Sequence, residues 1–129
     1  MMKHTILILF LFLSLLCHGQ SYKFFTTDRE LSSSLINKIY QDRNGMIWIA
    51  TEDGLNRYDG AKFITYKHDP ENEYSLCHNY VRVLYEDSKG RLFVGTYNSI
   101  QLYDPETDSF SARAQWEDGK TFDSNIMSI

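Results

Sequence analysis

Residues 36–59 read INKIYQDRNGMIWIATEDGLNRYD, and residues 81–104 read VRVLYEDSKGRLFVGTYNSIQLYD. The two stretches align without a gap at an offset of 45 positions, with aspartate and glycine kept in the turn after the first segment and apolar residues kept beyond it. The same offset carries Ile36 and Ile39 onto Ile126 and Ile129 at the end of the sequence. The chain is therefore built from a repeat, with two copies and the beginning of a third.

Each copy predicts four short strands joined by turns. The Asp-x-x-Gly of residues 42–45 favours a type I turn that ends on a left-handed glycine. The almost wholly apolar residues 46–51 are typical of a strand in the middle of a sheet. The predicted strands are residues 36–41, 46–51, 55–58 and 62–67 in the first copy, and residues 80–86, 91–96, 100–103 and 109–113 in the second. Four antiparallel strands in about 45 residues form one β-propeller blade, so the predicted fold class is all-β, an incomplete propeller.

The beginning of the chain has the pattern of a secretory signal peptide. After a short basic start, residues 6–16 form an apolar run that is too short to span roughly 30 Å of hydrocarbon. Small residues at Cys17 and Gly19 indicate cleavage close to Gly19. Lipidation of Cys17 would need a small residue before it, and Leu16 is not small. We expect residues 1–19 to be the signal peptide.

The remainder, residues 20–129, is expected to form a partial β-propeller. Its blade-like repeats cover about residues 35–79 and 80–124, and a third begins at about residue 125. Residues 22–26, YKFFT, precede the first copy as an outer strand precedes the second, so we expect them to close the ring as a strand of the last blade. Because the sequence stops inside a predicted strand, we expect a truncated product whose uncovered blade faces make it unstable or self-associating.

Composition and motifs exclude several classes of function. The 129 residues carry 13 Lys and Arg against 17 Asp and Glu, a formal net charge of −4, whereas nucleic-acid binders usually show a basic face. Cys77 is the only cysteine after the signal segment, so it cannot form an internal disulfide. No G-x-S-x-G, H-E-x-x-H, P-loop or C-x-x-C motif occurs. We predict no catalytic residue, no cofactor and no metal site.

The two copies, IYQDRNGMIWIATEDGLNRYDG and VLYEDSKGRLFVGTYNSIQLYD, resemble the two-component regulator propeller (Reg_prop) repeat. The second copy departs from the pattern at Ser99, where the repeat has glycine. The resemblance implies the periplasmic sensor of a hybrid two-component system. In that family, propellers are followed by an immunoglobulin-like domain, a membrane span, a histidine kinase, a receiver domain and a DNA-binding domain, and many members respond to oligosaccharides. Those later parts are not in this sequence, and His68 and His78 match no phosphoacceptor motif.

Four residues at equivalent places in the two copies are candidates for binding. Trp48 and Phe93 could stack on sugar rings, but their positions in the apolar second strand favour the core. Asp42 and Asp87 could bind calcium, but capping of the turn backbone accounts for both. We interpret all four as structural.

The loops supply the other candidates. Residues 69–73, DPENE, are interpreted as a solvated loop rather than a metal or partner site. Tyr97 and Asn98 depart from the first copy at a loop tip, where recognition residues often lie. Cys77 is interpreted as a half-buried loop residue and not as a nucleophile. The ligand-binding residues stay unassigned.

The leading hypothesis is the N-terminal fragment of a periplasmic β-propeller sensor that performs no chemistry of its own. Its expected partners are a carbohydrate or other small ligand, the remaining blades, and a second copy in a homodimer. Its expected location is the periplasmic face, as part of an inner-membrane protein. The alternatives are a secreted propeller enzyme that acts on glycans, and a stand-alone scaffold in which several short chains assemble one ring.

Overall fold

The computed structural model describes residues 19–27, 30–97 and 99–111, and the regular structure of these residues consists of strands. The strands are β1 (Ile36–Gln41), β2 (Ile47–Thr51), β3 (Gly54–Tyr58), β4 (Phe63–Tyr66), β5 (Val81–Glu86), β6 (Leu92–Thr96), β7 (Ile100–Asp104) and β8 (Ser109–Phe110). The all-β prediction is confirmed, with a strand at each of the eight positions predicted within the two copies. The described residues include no helix that is long and apolar enough to cross a membrane.

Several predictions concern residues outside the described ranges. The signal peptide of residues 1–19 is described only at Gly19, and the third copy from residue 125 is not described at all. The eighth strand is shorter than predicted, because β8 ends at Phe110. Ser111 still donates its backbone N–H to the Leu102 carbonyl, at 2.8 Å. Residues 112 and 113 of that predicted strand lie outside the described part.

The strands form two antiparallel four-stranded sheets in chain order, β1-β2-β3-β4 and β5-β6-β7-β8. Both β2 and β6 have a strand on either side and are almost entirely buried, as their apolar sequences predict. The first pairing of each sheet contains a register shift at the same place, between Ile36 and Lys38 in one and between Val81 and Val83 in the other. The two copies therefore fold alike, down to a bulge at the start of the first strand.

Asp42 joins the first hairpin turn to the core. Its Oδ1 accepts hydrogen bonds from the backbone N–H groups of Asn44 and Met46, at 2.9 and 3.0 Å. Its Oδ2 accepts one from the indole N–H of the buried Trp48, at 2.8 Å. Gly45 closes the turn with φ of 85°, a conformation that suits glycine. Both carboxylate oxygens of Asp42 are therefore bound to groups of the protein itself.

Asp87 has the same role in the second copy. Its Oδ1 accepts from the backbone N–H groups of Lys89 and Arg91, at 3.0 and 2.9 Å. Its Oδ2 accepts from the Arg91 guanidinium at 2.7 Å, where the first copy has the indole. The backbone hydrogen bond from Arg91, with the other bonds and charge of that residue, holds the pKa of Asp87 below its usual value. The predicted turn chemistry is confirmed in both copies.

The two sheets pack face to face around Trp48, which is buried. Its ring stacks on that of Tyr66, with centroids 5.9 Å apart, and meets the ring of Tyr103 edge-on at 4.7 Å. The rest of the buried cluster comes from both sheets and the loop between them: Ala50, Leu55, Leu76, Val81, Leu84, Leu92, Val94, Tyr103 and Phe110. Because burial of a Val, Leu or Phe side chain contributes about 1.5–3 kcal/mol, this cluster is the main attraction between the sheets.

A polar cluster lies at the rim of this interface. Arg57 donates to the Tyr103 hydroxyl and to the Asp108 carboxylate, the latter at 2.9 Å. Asp108 Oδ1 also accepts from the hydroxyls of Tyr66 and Tyr103, at 2.6 and 2.7 Å. Burial alone would raise the pKa of Asp108, but these hydrogen bonds and the charge of Arg57 hold it below its usual value. Burial, together with the bond to Asp108, raises the pKa of Tyr103 to about 12.

Further polar contacts join the two innermost strands. Asn37 donates its side-chain amide to the Val81 carbonyl at 2.8 Å. Glu86 accepts from the Tyr40 hydroxyl at 2.9 Å and from the Arg43 guanidinium at 2.7 Å. The sheets are thus held by hydrogen bonds on both sides of the apolar cluster.

Equivalent residues of the two copies differ in exposure, because a neighbouring sheet lies against only one face of each sheet in the described part of the chain. Leu84 is 4% exposed and Val81 is fully buried, since the first sheet lies against them. Their counterparts Ile39 and Ile36 are 58% and 43% exposed. In the described part of the chain, no third sheet covers that face.

The opposite face of the second sheet is uncovered in the same way. Phe93, which we expected in the core, is only half-buried, and its cross-strand partner Tyr85 is exposed. Their counterparts in the first sheet, Tyr40 and Trp48, face the second sheet and are covered by it. Phe93 has the core pattern of its strand but not the neighbouring sheet that would bury it.

Residues 22–26, expected to be a closing strand, form no strand in the described part of the chain. Phe25 instead contacts the rings of Tyr58 and Phe63 on the outer face of the first sheet, with centroids 5.0 and 4.9 Å away. A closing strand would pair with a blade that the described residues do not contain. That interpretation therefore stays a prediction.

We expect residues 20–129 expressed alone to self-associate through their uncovered faces. The I39K variant should associate less and stay folded, because it places a charge on an exposed face. The L84K variant, at the equivalent position of the second copy, should unfold because it buries an ammonium group. Light scattering after size-exclusion chromatography and circular dichroism measure the two effects. A monodisperse, cooperatively melting monomer without substitution, or equal unfolding of both variants, would contradict this account.

The D42A variant should lower the free energy of unfolding by about 1–3 kcal/mol more than D87A, because only D42A leaves a buried indole N–H without its acceptor. Urea titration of residues 20–129 measures the difference. The same loss should appear with EDTA and with added calcium, since Asp42 caps a turn. A loss seen only when calcium is present would identify a metal site instead.

Asp108 should make stability fall in acid. Its folded pKa is lowered, so the carboxylate stabilises the fold above the unfolded pKa of about 4, and this contribution disappears as the pH falls through the folded pKa. The D108N variant should therefore show a shallower loss of stability below about pH 4, measured by chemical denaturation at several pH values. The D69N variant, changed in an exposed loop, is the control and should follow the original curve.

Candidate functional site

The loops at one end of the two sheets carry residues that neither sheet needs for pairing. Because the strands are antiparallel and in chain order, the segments before β1, after β2, after β4 and after β6 all lie at this end. We call it the long-loop end, since it contains residues 67–80, the longest connection between the described strands. The opposite end holds the Asp-x-x-Gly turns.

The long loop is held firmly in place. Leu76 is fully buried in the cluster between the sheets. The backbone N–H of Cys77 donates to the Gln101 side chain at 2.7 Å, and the Asn79 carbonyl accepts from the Gly54 N–H at 2.7 Å. These bonds link the loop to both sheets, so the side chains at its end have defined positions.

A cavity of about 490 Å³ opens at this end and is lined by His78, Tyr80, Arg82 and Tyr97. It is an open depression in the surface and not an enclosed pocket. His78 and Tyr80 end the long loop, Arg82 is the second residue of β5, and Tyr97 follows β6 directly. The pairing of β5 with β6 brings the last two residues to the same end of the sheet.

Three rings and one guanidinium group meet around this cavity. The Tyr97 ring lies 5.6 Å from that of His78 and 6.4 Å from that of Tyr80, centroid to centroid. The guanidinium carbon of Arg82 lies 5.9 Å from the centre of the Tyr80 ring, a cation–π contact. Tyr97 is 65% exposed, so most of its surface remains available to a ligand.

Hydrogen bonding defines which nitrogen of His78 is available. Its Nδ1 accepts a hydrogen bond from the backbone N–H of Tyr80, at 2.9 Å. In the neutral ring the proton is therefore on Nε2, which is the nitrogen able to donate to a ligand. The lining of the cavity is thus mainly aromatic and apolar, with Nε2–H of His78 as one donor.

Tyr97 is the one lining residue that the sequence indicated as a recognition candidate. Asn98, its companion, lies outside the described residues. Neither Tyr80 nor Arg82 belongs to a sequence motif. Their positions on either side of the buried Val81, two residues apart, were the sequence signal that both lie on the same face of the strand. His78 was considered only as a phosphoacceptor.

The other candidate residues have structural roles. Trp48 is in the core, as expected. Residues 69–73 form an exposed loop in which the Glu71 backbone N–H bonds to Asp69 Oδ1 at 3.0 Å, as expected for a solvated segment. Cys77 is a half-buried free thiol, and Nδ1 of His68 lies 2.6 Å from the Leu76 carbonyl.

A larger cavity, of about 950 Å³, opens beside β7 and β8 and is lined by residues such as Leu102, Asp104 and Ser109. Leu102 pairs with Phe93, so this cavity lies against the sheet face that turns away from the first sheet. In a stack of repeats, that face is where the next sheet packs. We therefore regard it as an uncovered packing surface and not as a ligand site.

Comparisons with known proteins agree with this architecture. Residues 30–53 and 75–98 match the family described as two component regulator propeller. Over 73 residues the chain is 40% identical to histidine kinase P4 of Formosa agariphila, a match that covers 54% of this chain and 5% of that protein.

Two solved structures have a similar fold. Both are extracellular domains of BT4673 from B. thetaiotaomicron, described as a one component system in one case and a hybrid two component system in the other. They align with TM-scores of 0.62 and 0.61 and identities of 25% and 24%, over 83% of this chain and 15% of each of theirs. The two sheets of this chain thus have the fold of β-propeller blades, and each contains strands from one of the two segments that match the two component regulator propeller family.

Proposed function

We propose that this chain is part of the ligand-sensing β-propeller of a hybrid two-component system. The observation that carries the proposal is the pair of stacked repeat blades. Similar blades occur in a solved extracellular domain that is described as part of a hybrid two component system. The identity to a histidine kinase over 73 residues supports it from sequence. The chain spans only 5% of that kinase, so the kinase activity belongs to the proposal.

The proposed ligand is an oligosaccharide or a similar polar molecule, bound by the complete propeller. The rings of Tyr80 and Tyr97 offer faces on which a sugar could stack, and Nε2–H of His78 offers a donor to its oxygens. The four lining residues include no carboxylate pair of the kind that glycoside hydrolysis uses. This supports a piece that binds and does not perform chemistry.

The proposed mechanism is a shift between receptor states. A ligand that binds one arrangement of the blades more tightly than another raises the population of that arrangement. The signal would pass from the periplasmic face to the kinase through an inner-membrane span. Further blades and a second copy in a homodimer complete the proposed assembly.

The test begins with the reading frame beyond Ile129 and then uses the protein that the whole frame encodes. We expect the reading frame beyond Ile129 to continue with more repeats and then a kinase, and the purified protein in lipid vesicles to change its autophosphorylation rate when one oligosaccharide of a panel is added. Chromatography of that oligosaccharide should show no cleavage. A reading frame without repeats or kinase, or turnover of the glycan by the propeller, would contradict the sensor proposal.

A further inference from the structure

We propose that two ion pairs, Arg57–Asp108 and Arg43–Glu86, determine which sheets of this fold pack against each other. The apolar cluster supplies the attraction, and the ion pairs restrict the inner face of the first sheet to the second sheet. This inference goes beyond the proposed function, because it concerns how the repeats recognise one another. It stands on the contacts of the two pairs and on the comparison of the two copies.

The apolar cluster alone does not distinguish the two copies. Trp48 and Leu84, which pack between the sheets, correspond to Phe93 and Ile39 at the offset of 45 residues, so the apolar character is the same in both copies. The strand registers match as well, down to the bulge in the first pairing of each sheet. The hydrophobic effect is not directional. Selection of the partner therefore requires contacts that the copies do not share.

Asp108 reaches across the interface from a turn that is longer than its counterpart. This turn, residues 104–109, has two residues more than the corresponding turn of the first copy, residues 59–62, as the pairing of the flanking residues shows. Asp108 has φ of 52°, a left-handed conformation that aspartate adopts more readily than most residues. Its Oδ1 accepts from the Arg57 guanidinium and the Tyr66 hydroxyl, both of the first sheet. The first copy has no residue equivalent to Asp108.

Glu86 and Arg43 form the second pair, at the end of the sheets that holds the hairpin turns. The side chain of Glu86 is only 6% exposed, and it accepts from the Tyr40 hydroxyl, the Arg43 backbone N–H and the Arg43 guanidinium. The same guanidinium donates to two backbone carbonyls of the second copy, at 2.9 and 3.2 Å. A Cβ at Gly90 would come within 2.8 Å of its central carbon. Arg43 thus fits closely against the hairpin turn of the second copy.

The other copy does not keep these charged partners. At the offset of 45 residues, Arg57 and Arg43 correspond to Leu102 and Ser88, and Glu86 corresponds to Gln41. Two first-copy sheets packed together would leave both arginines opposite a sheet without these carboxylates. Two second-copy sheets would leave both carboxylates without these arginines. Charged groups that lose their partners on burial are costly, and such a cost against the wrong partner gives specificity to otherwise similar surfaces.

A duplicated first copy tests the inference directly. In residues 20–129, residues 80–124 are replaced by a second copy of residues 35–79. In this duplicate, N56Q keeps the amide that the long loop bonds to, and W48F leaves the original Trp48 as the sole tryptophan. We expect acrylamide to quench this indole several-fold more readily than in residues 20–129 with W116F, because the sheets no longer stack over it.

Restoring the carboxylates should restore the stacking. The duplicate then carries Q41E and has residues 104–109 in place of residues 59–62, so that both arginines regain their partners. We expect quenching of Trp48 to fall to the level of the original chain. The control duplicate has the same longer turn with D108N and keeps Gln41, and its indole should stay readily quenched.

Point variants of the original chain keep the inference testable should a duplicate fail to fold. R57L and D108N should each raise the unfolding equilibrium constant by about tenfold, and the double variant should add little to either. R91Q removes one charge from the Arg91–Asp87 pair, which lies within the second sheet, and should leave Trp48 protected.

Three results would overturn the inference. Protection of Trp48 in the duplicate without the carboxylates, equal to that in the original chain, would show that apolar contacts alone select the partner. Ready quenching in the restored duplicate, folded by circular dichroism, would show that the carboxylates do not select it. Additive effects of R57L and D108N would show that the two residues do not act as a pair.

Discussion

Each sheet of this chain is apolar on both faces, and one neighbouring sheet covers only one of them. On the covered face of the first sheet, the indole of Trp48 packs against Tyr66 of its own sheet and Tyr103 of the next, and its N–H donates to Asp42. Ile39, on the other face, is exposed although the equivalent Leu84 is buried. Stacking of repeats is thus the condition under which a single blade becomes stable.

This constraint also separates structure from recognition. The faces of the blades and the Asp-x-x-Gly turns are used for packing and pairing, and their residues recur from copy to copy. At the long-loop end, Leu76 and a few backbone hydrogen bonds hold the loop in place. The exposed Tyr97 at this end differs from its counterpart Glu52 in the first copy. Loop tips that differ in this way are common places for recognition.

The strands and turns could be predicted because the repeat aligned each apolar run and each Asp-x-x-Gly without a gap. The burial of Phe93 could not, since it depends on a neighbouring sheet and not on the residue's own pattern. The site was visible only in part. Tyr97 differs from its counterpart Glu52 at a turn, and this difference is visible in the sequence. The pairing of β5 with β6 brings Arg82 to the same end of the sheet as Tyr97, and no short sequence motif indicates that pairing. The contact between the rings of Tyr97 and His78 depends on the path of the long loop.

Accessibility of the outer face of the first sheet in the proposed complete sensor tests the central claim most directly. Thiol labelling rates can be compared for the I39C, L84C and E73C variants of the complete extracellular region, each with Cys77 replaced by serine. The account predicts that I39C reacts as slowly as L84C, because another blade covers the face that is exposed here, while E73C in the solvated loop reacts quickly. Labelling of I39C as fast as that of E73C would contradict the stacking of further blades on this sheet.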